Sequence, residues 1–204
     1  AVVLAGCAGT EKAKPTALEP NTALLGVRQA WVNKLGPVGF ALDMRVVGNQ
    51  LVAADSTGVV VAIDAVTGGD IWRTTLNTPL SAGVGSDGRY ASVVTRENEL
   101  VVLEGGKELW RQRLSAVTLT SPLVAGARVF TLSGDRTVAA FDAASGRKLW
   151  QQQRTGDPLV LGQSGAVYAV GDILAVGLGG RLVGFNSLNG NVRWDISVAN
   201  SRGT

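Results

Sequence analysis

Histidine is absent from the 204 residues, and cysteine occurs once, at Cys7. These absences exclude metal sites built on His or paired Cys, Ser-His-Asp and Cys-His catalysis from this chain alone, and any disulfide within it. Charged residues make up only 17% of the chain, and its Lys and Arg stand singly rather than in a stripe, for a net charge of +3. Aromatic residues are 5% of the total and few lie beside the cations, so no nucleic-acid partner is expected. No long hydrophobic run occurs: the apolar start Ala1–Gly6 is far too short to span a bilayer. Nor does any segment sustain a period of 3.6, which argues against a helical repeat.

Glycine is plentiful, at 27 residues, and punctuates Val-rich runs together with Asn, Asp and Ser. Short apolar runs bounded by turn residues read as β-strands. The five tryptophans, Trp31, Trp72, Trp110, Trp150 and Trp194, are spaced by 41, 38, 40 and 44 residues. A period near forty is the mark of a repeat array. Within the first unit, strands are expected over Val38–Met44, Gln50–Asp55, Val59–Asp64 and Asp70–Leu76. The second gives Ser81–Gly85, Arg89–Thr95, Glu99–Glu104 and Glu108–Leu114. The third gives Thr120–Ala125, Arg128–Ser133, Thr137–Asp142 and Lys148–Gln153. The fourth gives Gly165–Val170, Ile173–Gly177, Arg181–Asn186 and Val192–Val198, and a further strand, Ala30–Leu35, carries Trp31. Four strands per unit make an all-β protein, a β-propeller of four-stranded antiparallel blades with about four blades present.

Three of the tryptophans follow one turn: IDAVTGGDIW from Ile63, FDAASGRKLW from Phe141 and FNSLNGNVRW from Phe185. Asp64, Asp142 and Asn186 have the side chains to accept backbone N–H bonds two residues on, in Asx-turns that end the third strand. Gly68, Gly146 and Gly190 stand where a left-handed conformation costs least for glycine. Trp72, Trp150 and Trp194 fall on the outer strand, where an indole can cover a blade seam and bury roughly 150–250 Å². In the second unit Glu104-Gly105-Gly106 stands two residues closer to Trp110, which predicts a tighter hairpin. The carboxylates Asp55, Asp64, Asp142 and Asp172 recur at turns and strand ends and read as structural, so no catalytic residue, metal site or cofactor is expected.

The opening residues Leu4-Ala5-Gly6-Cys7 resemble the bacterial lipobox. The resemblance implies that 1–6 are the remnant of a signal peptide and that Cys7 carries palmitate and other lipid. A polar, Pro-containing tether then occupies 7–29, ahead of the blades at 30–204. Ala8 rather than Asp follows the cysteine, which implies the outer membrane, on its periplasmic side.

The pattern [Ile/Phe]-[Asp/Asn]-x-x-[Thr/Ser/Asn]-Gly-x-x-x-Trp resembles the PQQ-like repeat of pyrroloquinoline-quinone enzymes and their non-enzymatic relatives. Together with the lipobox it is similar to the propeller lipoproteins of the outer-membrane β-barrel assembly machine, the BamB type. That family has eight blades, which implies that these residues are the N-terminal half of a longer chain. The resemblance implies a non-enzymatic scaffold that binds the POTRA domains of the central barrel subunit, beside other assembly lipoproteins and unfolded outer-membrane clients. In the family, a loop with Leu-x-Leu before a polar or basic stretch meets the partner. Leu159 and Leu161 match it; Gly162 stands where the family has arginine, and Arg154 and Gln163 are nearby substitutes. Alternation alone equally allows Leu159 and Leu161 to be core residues of an inner strand. Two other classes stay open: a quinone-dependent dehydrogenase, which lacks the vicinal cysteines many members use, and a peptide- or polysaccharide-binding lipoprotein.

Overall fold

Four consecutive antiparallel sheets of four strands each occupy the described residues, 28–156, 159 and 165–198, of this computed structural model. Blade one contains β1 (Arg45–Val47), β2 (Gln50–Ala54), β3 (Val59–Asp64) and β4 (Asp70–Thr75). Blade two contains β5 (Gly85–Ser86), β6 (Tyr90–Val94), β7 (Glu99–Glu104) and β8 (Lys107–Arg113). Blade three contains β9 (Leu123–Ala125), β10 (Arg128–Leu132), β11 (Thr137–Asp142) and β12 (Lys148–Gln153). Blade four contains β13 (Val167–Val170), β14 (Ile173–Gly177), β15 (Arg181–Asn186) and β16 (Val192–Ser197). Strand order within each sheet follows the chain, so short hairpins make every pairing.

The second to fourth strands of each blade fall where the alternation places them, within a residue at either end. The first strands do not. Residues 38–44 and 81–84, expected as strand, lie ahead of β1 and β5, and β9 keeps only the last three residues of Thr120–Ala125. These segments run close against neighbouring blades. A Cβ on Gly85 would stand 2.1 Å from the carbonyl oxygen of Pro122, and one on Gly83 would stand 2.8 Å from Cβ of Asp43. Around the first segment the backbone turns to a hairpin: Ser56 N–H donates to the Pro37 carbonyl at 2.9 Å and Gly39 N–H to the Ser56 hydroxyl, whereas Ser81 N–H still donates to the Val94 carbonyl at 2.9 Å, at the end of β6. Ala30–Leu35 is likewise no strand, although Trp31 is put to use as described below.

Blades stack face to face, and the seams are the core. Val52, Ala54, Val60 and Ala62 of blade one pack with Val84, Ala91, Val93, Val101 and Leu103 of blade two. Tyr90, Val94, Leu100 and Val102 point the other way, onto Val129, Ala139 and Phe141 of blade three. Phe130, Leu132, Val138 and Ala140 then meet Leu174, Val176, Val183 and Phe185 of blade four. Because both faces of β6 are covered, all five of its residues are buried, and the strand reads as YASVV rather than as an apolar–polar alternation. Blade four differs: on the face turned from blade three, the registered pair Leu182 and Ile196 is exposed. On the first blade, Trp31 and Leu35 cover Ala53, Val61 and Ile63, while Leu42, Met44 and Val46 are exposed.

Candidate functional site

The repeated turn and the tryptophan belong to different blades. In the turn, the Asp64 carboxylate accepts from Val66 N–H at 2.9 Å, Thr67 N–H at 2.8 Å and the Thr67 hydroxyl at 3.1 Å. Asp142 accepts from Ser145 N–H at 2.8 Å and its hydroxyl at 2.7 Å. The Asn186 side-chain oxygen accepts from Leu188 N–H at 2.9 Å and Asn189 N–H at 3.3 Å. One carbonyl-type oxygen suffices for this work, which is why Asn replaces Asp without altering the turn. These donors also hold both carboxyls below the usual carboxylate range: chiefly Thr67 N–H for Asp64, and the Ser145 hydroxyl for Asp142.

Each turn receives the indole of the preceding unit. Trp31 Nε1 donates to the Ala65 carbonyl at 2.9 Å, Trp110 Nε1 to Ala143 at 2.7 Å and Trp150 Nε1 to Ser187 at 3.0 Å. The residue two beyond the tryptophan makes a second clasp, from Asn33, Thr74 and Gln112 to the carbonyls of Gly68, Gly106 and Gly146. Sequence reading missed this clasp, because three different side chains perform it. In the second blade Gly105 and Gly106 form a two-residue hairpin with φ of 56° and 82°, and Trp72 rests against it. A bulge between third and fourth strands in every blade, at Ala62, Val102, Ala140 and Gly184, falls at the tryptophan's cross-strand partner. Trp194 lies on Gly184 of its own blade, where an added Cβ would come within 2.2 Å of the ring.

Glycine at the turn is demanded twice over. Gly190 has φ of 76°, and a Cβ there would stand 2.6 Å from Trp150 Cε3. Gly180, with φ of 78°, has nothing within 4 Å of an added Cβ. Gly180→Ala is therefore expected to cost about 1–2 kcal/mol from backbone strain alone. Gly190→Ala adds displacement of the indole and should cost about 2–4 kcal/mol. Urea midpoints of the two variants check this, and equal losses would show that the ring yields freely.

The partner-binding residues read from the Leu-x-Leu pattern fare unequally. Leu159 is half-buried against the core between blades three and four, and its N–H donates to the Gly134 carbonyl at 2.8 Å. Leu161 and Gln163 lie outside the described residues, as does Cys7. Arg154 is engaged elsewhere, its guanidinium 2.6 Å from the Asp195 carboxylate, which Arg181 also meets at 2.8 Å. This pair ties the residue after β12 to β16. Among the carboxylates, Asp55 is buried and caps the β2–β3 hairpin, and Asp172 pairs with Arg193 at 3.3 Å. Among the described residues no three of Asp, Glu, His and Cys converge as metal ligands, and no helix is long and apolar enough to cross a membrane.

Residues 56–204 match the family model described as outer membrane protein assembly factor BamB. The protein of that name from Bordetella pertussis is 34% identical over 209 residues, an alignment covering 99% of this chain and 54% of the relative. The chain spans about half the length of the curated relatives it matches. Among solved structures, BamB from Moraxella catarrhalis aligns with a TM-score of 0.63 at 22% identity, over 79% of this chain and 49% of that one. A quinohemoprotein alcohol dehydrogenase from Comamonas testosteroni aligns with a TM-score of 0.60 at 17% identity, over 79% of this chain and 35% of its own. At such identities these two structures speak for the propeller fold alone, which hosts both kinds of protein. The family model covers the turn of blade one and all of blades two to four, and on that match the chain belongs to the family of the outer membrane protein assembly factor BamB.

Proposed function

We propose that this chain acts as a non-catalytic scaffold in the assembly of outer-membrane β-barrel proteins. The match of residues 56–204 to the assembly-factor family carries the reading. In it the blades present a rigid surface to the POTRA domains of the central barrel subunit, other assembly lipoproteins stand alongside, and unfolded clients pass nearby. Cys7 carries the lipid that holds the chain to the outer membrane on the periplasmic face, with 8–29 as its tether.

The segment around Leu159, Leu161 and Gln163 is the proposed contact. Its support is the Leu-x-Leu pattern and the anchoring of Leu159 at Gly134, which holds the start of the loop against the β10–β11 hairpin. Replacing both leucines by Ala is expected to reduce copurification of the barrel subunit about tenfold, as loss of apolar contact area would. A melting curve on the same variant separates loss of contact from loss of fold. Undiminished capture by the folded double variant would sink the assignment of this loop. A Cys7→Ser variant that still fractionates with outer membranes would sink the anchor.

A further inference from the structure

The residue that opens the second strand of each blade faces the first residue of the turn across the ladder. Gln50 stands opposite Asp64, Tyr90 opposite Glu104, Arg128 opposite Asp142 and Ile173 opposite Asn186. In the first three blades this position lies on the strand face turned to the next blade. Tyr90, only 4% exposed, fills the one between blades two and three with its ring. Arg128 shares its strand face with Phe130, which is buried between blades three and four, so its side chain is turned to that seam. There it does not fill the space. A cavity of about 260 Å³ lies between the blades, walled by Arg128, Phe130, Ala169, Leu188, Ser187 and Asp172.

The guanidinium in this wall is poorly provided for. Its Nη1 donates to the Gly126 carbonyl at 3.2 Å, while its Nε is buried and has no acceptor among the described residues. No carboxylate among the described residues pairs with Arg128, and Asp172 in the cavity is held by Arg193 at 3.3 Å. Arginine carries five donors in a planar fork suited to a carboxylate, and the Gly126 carbonyl is the one acceptor shown for the terminal nitrogens of Arg128 among the described residues. The remaining wall is largely apolar: Phe130, Ala169 and Leu188. A pocket with an apolar body and one guanidinium fits a specific chemical class. The volume lies just below the range of ordinary small-molecule pockets, so the ligand is small.

We propose that the cavity between blades three and four binds a small monocarboxylate with an apolar body. In this assignment the terminal nitrogens of Arg128 take the carboxylate, and Phe130 and Leu188 flank the body. The paired carboxylate of Asp172 disfavours a second negative charge. Blades three and four supply the described lining of this cavity, and Leu159 is not among it. The ligand is either a free acid or the carboxyl end of a peptide chain, which offer the same chemistry.

The test is an NMR titration of the isotopically labelled 204-residue chain with benzoate, and with Gly-Gly-Leu as free acid and as C-terminal amide. Saturable shifts at Gly126, Ser187 and Leu188 are expected with benzoate in the millimolar range. Arg128→Gln should weaken this binding about ten- to a hundredfold, and Arg128→Lys should weaken it less. If the peptide acid binds more tightly than benzoate and the amide does not bind, the site takes a chain terminus; benzoate binding alone assigns a free acid. Shifts that never saturate overturn the proposal. So do shifts that persist undiminished in Arg128→Gln. The spectrum of that variant without ligand reports whether it is folded, and Arg128→Lys provides the same comparison if Arg128→Gln is not.

Discussion

Replacing Trp150 by Ala is expected to cost about 3–5 kcal/mol of folding stability, the largest loss for any single tryptophan in the chain. Its ring is 8% exposed and sits between two other rings, with centroids 6.1 Å from Phe130 and 6.2 Å from Phe185. Those phenylalanines belong to successive blades, so the indole bridges the seam that binds blade three to blade four. Truncation to Ala removes the apolar contact, strands the Ser187 carbonyl that Nε1 now satisfies, and opens a void under the turn at Gly190. Trp194→Ala is the natural comparison. Trp194 also lies on the fourth strand of its blade, but no described turn is seated on it, and its ring rests on Gly184 within its own sheet. Its loss should be less than half as large. Denaturant unfolding followed by circular dichroism and by fluorescence measures both. Equal losses would mean that the indole stabilises its own sheet, not the seam.

Asp55→Ala is expected to cost about 2–4 kcal/mol at neutral pH, from one buried side chain with several donors. The Asp55 carboxylate accepts from the Thr57 hydroxyl at 2.7 Å, Thr57 N–H at 2.9 Å and Val59 N–H at 3.1 Å. It also accepts from Gly36 N–H at 3.0 Å, tying the segment after Trp31 to the β2–β3 hairpin. Alanine leaves these backbone donors without partners in a place with little access to water. Burial by itself pushes this carboxyl up, but the hydrogen bonds, led by the Thr57 hydroxyl, outweigh it and hold the group below its ordinary value. A carboxyl whose pKa is lower folded than unfolded adds stability at pH above its unfolded value. That stability is lost as pH falls through the folded value. The gap between the parent chain and Asp55→Ala should therefore be constant near neutrality and narrow below about pH 4. Urea midpoints at neutral pH and at about pH 3 measure it, and a gap that widened in acid would contradict the assignment.

What could be read in the chain and what could not divides along sequence distance. The Asx turns at Asp64, Asp142 and Asn186 close within three or four residues, so residue type and spacing suffice to place them. The same is true of the Gly105-Gly106 hairpin and of the outer strands, whose side chains alternate against a neighbour in their own sheet. The first strands were misplaced because their conformation answers to the adjacent blade. Nothing local tells that Gly85 must pass close to the Pro122 carbonyl, or that Pro37 and Gly39 bond to Ser56 of the β2–β3 hairpin. The clasp by Asn33, Thr74 and Gln112 escaped notice for a related reason. Its acceptors are carbonyls more than thirty residues away, and a carbonyl leaves no mark on the residue that bears it.

Leu159 shows the same limit at the candidate site. Alternation with Leu161 fits a partner loop and an inner strand equally, and only packing places its side chain against the core between blades three and four. Arg154 is bonded to Asp195, on a strand forty-one residues away, a partner that its own neighbourhood in the chain does not announce.

By itself, the sequence determined a repeat of about forty residues, its all-β character and the turn that closes each third strand, because short-range hydrogen bonds and alternation carry that information. Only the tertiary structure decided that Trp31, Trp72, Trp110 and Trp150 belong to the turn of the following unit and that the first strand of each blade is short. It alone placed, beside the cavity between blades three and four, an arginine with no carboxylate partner among the described residues. These features depend on surfaces brought together across blades, where the neighbour of a residue is set by packing rather than by its place in the chain.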